Sequence, residues 1–230
     1  MGMINDFDVD IDLGNFSDIE INIDFDIDIN DRYCKPAMSH SKNVKFKNAS
    51  QLSKAIEIKQ NERYFCIIDG SFIFGDFIEA FITDRNMQVK ELTLSTLSMS
   101  QENIDSFYNL MSKGYIEKLN IIVSDFFYSH ERHNLVKYMY DKLDIDDRFQ
   151  LSVCRTHTKI CMFETEMNGG RKYVIHGSAN LRSSDNIEQF MIEENSELYD
   201  FNYIFHKKII DNFATIKKSL RGEKLFNLIK

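Results

Sequence analysis

The chain has 230 residues, 43% of them hydrophobic, and a formal net charge of −8, which suits one globular domain with some additional sequence. The negative charge argues against a protein that coats nucleic acid nonspecifically, because that affinity comes from Lys and Arg side chains that neutralise phosphates. No stretch approaches the roughly 18 apolar residues of a membrane span, and the aspartate-rich start differs from a secretory signal. We therefore expect a cytoplasmic protein without membrane insertion. The four cysteines occur singly, a pattern that favours neither a disulfide framework nor a zinc cluster.

The first 33 residues form an acidic N-terminal segment. Residues 6–31 alternate acidic or amide residues with Ile, Val, Phe and Leu, the period of two that is typical of a strand. Like charges on one face repel, so we expect a segment that is disordered alone, docks on a partner protein, or fills the chain's own basic groove as a nucleic-acid mimic. Three alternate aspartates match the start of a calcium loop, but its glycine and closing glutamate are missing. If deletion of residues 1–33 left substrate and partner binding unchanged, both docking interpretations would fail.

Residues 34–60 are predicted to form a linker with a lead-in helix, residues 61–215 a single domain, and residues 216–230 a basic tail. Within the domain, apolar runs typical of strands first alternate with amphipathic segments and then form a hairpin. This order predicts an α/β fold with a mixed β-sheet flanked by helices on both faces. Strands are predicted at 64–71, 92–98, 119–126, 149–154, 157–164 and 173–177, and helices at 76–83, after an N-cap at Ser100, and at 131–143.

Polar residues with the chemistry of a phosphate site follow in the later strands. His157 and Lys159 are two residues apart in a predicted strand, and Ser178 and Asn180 share a parity after the next one. Both pairs are therefore expected on one face of neighbouring strands. They supply an imidazole, a cation and two hydrogen-bond donors, which suits in-line attack of a histidine on phosphorus. Glu188 is a candidate to hold the second ring nitrogen of that histidine.

The order of these residues resembles the phospholipase D superfamily, whose motif runs HxKxxxxD, GSxN and often RSxxxNxE. The resemblance implies a metal-independent phosphodiesterase that needs no cofactor and forms a phosphohistidine intermediate. For a small member with a single motif, it further implies nucleic acid as the substrate. The matching positions are His157-x-Lys159, Gly177-Ser178-x-Asn180, Arg182-Ser183 and Asn186-x-Glu188.

Two departures from the family pattern matter. Glu164 stands where the family has aspartate, and its strand parity is opposite to that of His157, which predicts a supporting role away from the phosphate. Arg182, Ser183 and Asn186 are also assigned supporting roles. The superfamily's site takes two motifs, and residues 64–150 contain no second HxK, so the resemblance implies a homodimer in which two copies of His157 meet.

Two alternatives to this function stay open. One is a catalytically silent phospholipase D-like module that binds nucleic acid or protein and is carried by a phage or mobile element; it would form no phosphohistidine. The other is a phospholipid phosphodiesterase, which would turn over vesicle phospholipid but not an oligonucleotide.

Three further patterns have structural interpretations. The histidines of the run Ser129–His133 lack the companion ligands of a metal site. His176 shares the parity of Ser178 but is interpreted as a structural histidine with a satisfied hydrogen bond. The aromatic and aliphatic stripe from Phe201 to Ile210 predicts a buried helix face.

Overall fold

The computed structural model describes residues 40–46, 48–69, 73–166, 169–182 and 186–212. The predictions for the acidic segment 1–33, the basic tail 216–230 and Ser183 lie outside these residues. The described residues between His40 and Asn212 group into one compact unit, in agreement with the predicted single domain.

Eight strands form one mixed sheet in the order β1-β2-β8-β7-β6-β3-β4-β5, and their bounds are β1 His40–Phe46, β2 Glu62–Ile68, β3 Val89–Thr96, β4 Ile116–Ser124, β5 Phe149–Cys154, β6 Ile160–Thr165, β7 Lys172–Gly177 and β8 Glu188–Glu194. The pairs β1–β2, β3–β4 and β4–β5 are parallel, and the pairs that involve β6, β7 or β8 are antiparallel. As a result, the ends of β2, β3, β4, β5 and β7 and the starts of β6 and β8 lie along one edge. We call it the upper edge.

Six helices accompany the sheet in the described part of the chain: α1 Ala49–Ala55, α2 Phe74–Thr83, α3 Gln101–Ser112, α4 Asp125–Glu131, α5 Leu135–Leu143 and α6 Ser196–Asn212. Helices α1, α2, α3 and α5 pack against one another in sequence on one face, the front. Helix α6 crosses β5, β6 and β7 on the back face. The predicted mixed sheet with helices on both faces is therefore confirmed.

Alternating side chains of the central strands supply the two layers of the core. On the front face, Phe163, Tyr173 and Phe190 are fully buried against aromatic rings of α2, with the Phe77 and Phe190 centroids 5.0 Å apart. On the back face, the intervening residues of β6 and β7 pack against Tyr199 of α6. Each large apolar side chain contributes roughly 1.5–3 kcal/mol on full burial, so both faces hold helices in place.

Several boundaries differ from the sequence prediction. β6 begins at Ile160 rather than His157, because residues 156–159 make local hydrogen bonds instead of a complete ladder. Strand β1 lies inside the predicted linker, and β8 was not predicted as a strand. The predicted helix 131–143 begins only at Leu135, since α4 ends at Glu131 and a turn separates the two helices.

The buried face of α6 differs from the predicted stripe. Phe201 is 42% exposed and Ile204 is 57% exposed, whereas the helix buries Asn202 and His206. These polar groups are satisfied within the helix, because the Asn202 side chain donates to the Leu198 carbonyl and His206 Nδ1 lies 2.7 Å from the Asn202 carbonyl. Of the predicted stripe, Ile209 is buried and Tyr203 packs against the back-face cluster, whereas Phe201 and Ile204 lie on the exposed side.

Candidate active site

Four of the predicted site residues meet at the upper edge of the sheet. His157 and Lys159 stand immediately before β6, Ser178 follows β7, and Glu188 opens β8. β7 lies between β6 and β8 in the sheet, so its end is close to the start of both neighbours. The convergence arises from strand ends, not from the shared strand face that the sequence predicted.

Main-chain hydrogen bonds hold the segments around these residues together. The Gly177 N–H donates to the Lys159 carbonyl at 3.3 Å, and the Ser178 N–H donates to the Gln189 carbonyl at 2.9 Å. The hydrogen-bond ladders between β6 and β7 and between β7 and β8 therefore continue as far as Lys159 and Ser178. A sheet extended in this way positions its side chains more rigidly than a free loop would.

The side chains of His157 and Lys159 contact each other. Lys159 Nζ lies 3.3 Å from His157 Nδ1 and donates to the His157 carbonyl at 3.1 Å. Burial lowers the pKa of Lys159, while the negative charge of Glu188 opposes that shift. An ammonium can only donate, so Nδ1 accepts here and the neutral ring carries its proton on Nε2.

Ser178 and Glu188 form the second contact of the site. The Ser178 hydroxyl donates to Glu188 Oε2 at 2.5 Å, and the Gln189 N–H donates to the Ser178 oxygen at 3.1 Å. Among the described residues, the His157 ring contacts Lys159 and not Glu188. The predicted contact between Glu188 and the second ring nitrogen is therefore not made in this arrangement. Glu188 instead orients the serine and faces the lysine electrostatically.

Gly177 stands where two backbones approach closely. A Cβ atom at this position would lie 2.4 Å from the Gln189 carbonyl oxygen and 2.6 Å from the Phe190 Cα. These atoms belong to the neighbouring strand and cannot rotate away. Glycine thus allows β7 to approach β8 closely enough for Ser178 to reach Glu188.

The loop after Ser178 is anchored in the core. The buried Leu181 offers its carbonyl to Asn103 Nδ2 at 3.0 Å and to the Phe74 N–H at 3.2 Å. The neighbouring Asn180 is half-buried, and its Oδ1 is shielded from solvent without a hydrogen-bond partner in the described part of the chain. A buried polar atom without a partner costs about 1–3 kcal/mol, which only a hydrogen-bond donor that reaches the oxygen can recover.

The predicted supporting residues are placed differently from one another. Arg182 and Asn186 are exposed in the segment between β7 and β8. Glu164 lies at the opposite end of β6, where it pairs with Lys172, whereas Ile160 pairs with His176 near the upper edge. Four strand residues span about 13 Å, so Glu164 is remote from His157. Its carboxylate instead faces Gly170 in the β6–β7 turn.

His176 has a structural partner on the back face. Its Nε2 lies 3.1 Å from Oε1 of Glu193, a carboxylate that also accepts from Arg63 Nε at 3.0 Å. Glu193 is almost fully buried, so these two donors offset the loss of its hydration. The interpretation of His176 as a satisfied histidine agrees with this geometry.

A hydrogen-bond chain that the sequence did not predict ties the segment around His157 to α6. The Thr158 hydroxyl lies 2.8 Å from Ser95 Oγ, which lies 3.1 Å from His206 Nε2. His206 Nδ1 faces the Asn202 carbonyl and must donate, so Nε2 accepts from Ser95 and the serine accepts from Thr158. Burial lowers the pKa of His206, which favours the neutral ring that these hydrogen bonds require.

The pH dependence of stability is expected to report on His206. A lowered pKa in the folded state means that the unfolded chain binds the extra proton first, so this contribution is complete above the ordinary value of 6.5 and is lost as the pH falls below it. Chemical denaturation from pH 8 to pH 5 should show a smaller loss of unfolding free energy in His206→Gln than in the wild type. His133→Gln is the matched exposed control. Identical pH profiles for wild type and His206→Gln would contradict the assignment.

Other described features add no metal or membrane element. In the described ranges, no group of three or more His, Cys, Asp or Glu side chains could hold a metal ion. His130, in the histidine run noted from the sequence, instead has its Nδ1 2.7 Å from the Phe126 carbonyl. Within those same ranges, none of the helices combines the length and apolarity that crossing a membrane requires.

Two other HxK patterns in the chain lie elsewhere in the fold. His40-x-Lys42 begins β1, whose first residue pairs with the start of β2, away from the upper edge. Lys42 there contacts Glu62 and Tyr64. His206-x-Lys208 lies on helix α6, with the histidine buried. Only the HxK at His157 is accompanied by the serine and glutamate of neighbouring strand ends.

Comparisons with known proteins give similarity at the level of solved structures. No protein-family model and no curated protein matches the chain. Polyphosphate kinase from Porphyromonas gingivalis is 10% identical over 65% of this chain, with a TM-score of 0.49, and the chain spans only 26% of that protein. Nuc from Salmonella typhimurium, a phospholipase D family member, is 11% identical to this chain. The alignment covers 60% of this chain and 88% of Nuc, with a TM-score of 0.42.

NucT from Helicobacter pylori is 14% identical to this chain. The alignment covers 60% of this chain and 93% of NucT, with a TM-score of 0.44. A phospholipase D family member is thus among the similar structures, as the motif resemblance predicted. At such low identities and TM-scores below 0.5, these likenesses carry no information about what this chain does.

Proposed function

We propose that the chain is a cytoplasmic, metal-independent phosphodiesterase that attacks phosphorus with His157. The observation that carries the proposal is the convergence of His157, Lys159, Ser178 and Glu188 on three adjacent strand ends. His157 is exposed and Lys159 is half-buried beside it, so a nucleophile and a cation lie where a phosphate can reach both. Neighbouring Asn180 adds a carboxamide whose Nδ2 can donate to a phosphate oxygen.

The contacts among His157, Lys159, Ser178 and Glu188 suggest how substrate would prepare the nucleophile. A phosphate oxygen competes with His157 Nδ1 for the Lys159 ammonium, since an ion pair is the stronger partner. Once released, Nδ1 takes the ring proton, and Glu188 then accepts a hydrogen bond from it. Nε2 is left unprotonated and directed at phosphorus. During these steps Glu188 exchanges its hydrogen bond with Ser178 for one with His157. The serine hydroxyl is then able to donate to a phosphate oxygen.

The reaction proceeds in two displacements. His157 Nε2 forms a bond to phosphorus as the ester P–O bond breaks, and the leaving oxygen takes a proton from a second histidine. Water then attacks the phosphohistidine, gives its proton to that second histidine and releases a phosphomonoester with a free His157. Such acid–base help contributes roughly 10²–10⁴-fold. The lysines and the hydrogen-bond donors neutralise the developing charge without a metal.

The second histidine is best supplied by a second copy of the chain. Neither of the other HxK patterns lies at the upper edge with a serine and a glutamate beside it. A twofold axis through the exposed His157 would bring the two rings together and complete the site. A dimeric mass in light scattering is expected, and a monomer that is fully active at nanomolar concentration would contradict it.

Nucleic acid is the proposed substrate. A phosphodiester between two nucleosides has the single negative charge that Lys159 can match. The chain's net charge of −8 suits local recognition at one site better than nonspecific coating.

The covalent intermediate tests the function directly. Wild-type protein mixed with a ³²P-labelled oligonucleotide in excess chelator and quenched in alkali is expected to carry label on the peptide that contains His157. Phosphohistidine survives alkali and is lost in acid, which distinguishes it from a phosphoserine. Hydrolysis without any labelled protein, or label on another residue, would contradict the mechanism. A protein that neither hydrolyses phosphodiesters nor takes label would be the catalytically silent module.

A further inference from the structure

An exposed aromatic pair on α4 lies outside the site described above. Phe126 is 64% exposed. Its ring packs on His130, with centroids 4.1 Å apart and planes inclined by 37°. His130 Nδ1 also lies 2.7 Å from the Phe126 carbonyl and 3.2 Å from Ser129 Oγ. These contacts hold the Phe126 ring in place without covering its outer surface.

The aromatic pair stands on the same edge as the candidate active site. Helix α4 starts directly after β4, where Ser124 Oγ accepts from the Phe127 N–H and donates to the Leu97 carbonyl. The next residue, Asp125, accepts from Arg155 Nε at 3.3 Å. Arg155 precedes His157 by two residues. The first turn of α4 and the segment that carries the nucleophile are therefore direct neighbours.

The segment beside the aromatic pair carries cations, and the helix itself carries both signs of charge. Arg155 and Arg132 are exposed cations, the first in contact with Asp125 of α4 and the second at the end of that helix, and Lys159 adds a third charge at the nucleophile. Two carboxylates, Asp125 and Glu131, also belong to this helix, and the first is engaged by Arg155. An exposed ring beside a segment that carries cations can bind a single-stranded nucleic acid, through base stacking and backbone contacts.

We propose that Phe126, supported by His130, is a stacking platform for one base of a single-stranded substrate whose scissile phosphate lies at His157. The inference rests on the proposed phosphodiesterase function and narrows its substrate to single-stranded nucleic acid. In a regular duplex the paired bases already stack on their neighbours, so no face is free for the phenylalanine. Phe126 therefore contributes substrate preference and binding, while the chemistry stays with His157.

Fluorescence tests the stacking independently of turnover. The chain contains no tryptophan, so Phe126→Trp introduces a single indole at the platform. Its emission is expected to be quenched by a single-stranded oligonucleotide in the presence of chelator, and far less by the same sequence as a blunt duplex. Ile204→Trp on exposed α6 is the matched control and should show no such difference. Equal quenching in the two variants, or by single and double strands, would overturn the proposal.

Kinetics separate this proposal from the function on which it rests. The ratio of kcat/KM for a single-stranded oligonucleotide to that for bis(p-nitrophenyl) phosphate should fall about 5- to 150-fold in Phe126→Ala, the worth of one base stack. Phe126→Tyr keeps the ring and should preserve most of the ratio. An unchanged ratio, or a dimer that dissociates in Phe126→Ala, would overturn the platform. If wild-type protein hydrolyses neither substrate but the introduced tryptophan is still quenched selectively, the phosphodiesterase fails and the platform stands.

Discussion

Hydrolysis of bis(p-nitrophenyl) phosphate in excess chelator is expected to fall about 10³-fold or more in His157→Ala. The substitution removes the atom that attacks phosphorus, and loss of a nucleophile is among the largest single-residue effects on an enzyme. The effect should appear in kcat, because Lys159 and Asn180 still offer phosphate contacts. His133→Ala is the matched control, since that histidine is also exposed but lies outside the convergent strand ends. Activity that survives in His157→Ala would contradict the mechanism.

The same variant tests whether two chains share one site. When wild type and His157→Ala are unfolded together and refolded at varied ratios, activity should follow the square of the wild-type fraction. At equal amounts about one quarter should remain, because only dimers with two histidines complete the reaction. A linear decline would show that each chain acts alone. The small ester is used here so that nucleic-acid binding does not influence the result.

Gly177→Ala is expected to lower the free energy of unfolding by about 3 kcal/mol, the upper range for overpacking a well-packed site. The added carbon would lie 2.4 Å from the Gln189 carbonyl oxygen and 2.6 Å from the Phe190 Cα, and a backbone in a sheet cannot yield without a change in strand pairing. Separation of β7 from β8 would also move Ser178 away from Glu188. Urea denaturation measures the stability loss, and hydrolysis of the small ester measures the accompanying loss of activity.

Gly114→Ala provides the matched glycine control. Gly114 has a φ of +77°, and a Cβ there would meet nothing within 4 Å. The expected cost is therefore only the backbone preference, about 1 kcal/mol. Equal destabilisation by the two substitutions would show that close approach of the strands does not determine the need for glycine at position 177.

Strand and helix positions were predictable where one physical signal dominated. The bounds of β5 at Phe149–Cys154 and the N-cap Ser100 agree with the sequence prediction, since a continuous apolar run and a capping residue are local signals. β8 was missed because Glu193 and Glu194 interrupt its apolar pattern. Both carboxylates are buried and balanced by arginines from distant positions, which no local pattern reveals.

The candidate site was located from the order of its residues, but its geometry was not predictable. The parity rule assumed a strand through His157, whereas β6 starts at Ile160 and the residues converge because strand ends meet. The sequence also could not indicate that Lys159 contacts the His157 ring or that Ser178 donates to Glu188. These contacts depend on strand order, which brings β8 beside β7 only after the whole sheet forms.

The extension of both ladders past the regular strands has a consequence for local unfolding. Proteins open most readily where backbone hydrogen bonds are few and exposed, and least readily in central strands. Gly177 and Ser178 bond to segments on either side of β7, near the middle of an eight-stranded sheet. The candidate site residues Gly177 and Ser178 therefore belong to the cooperative unit that opens last.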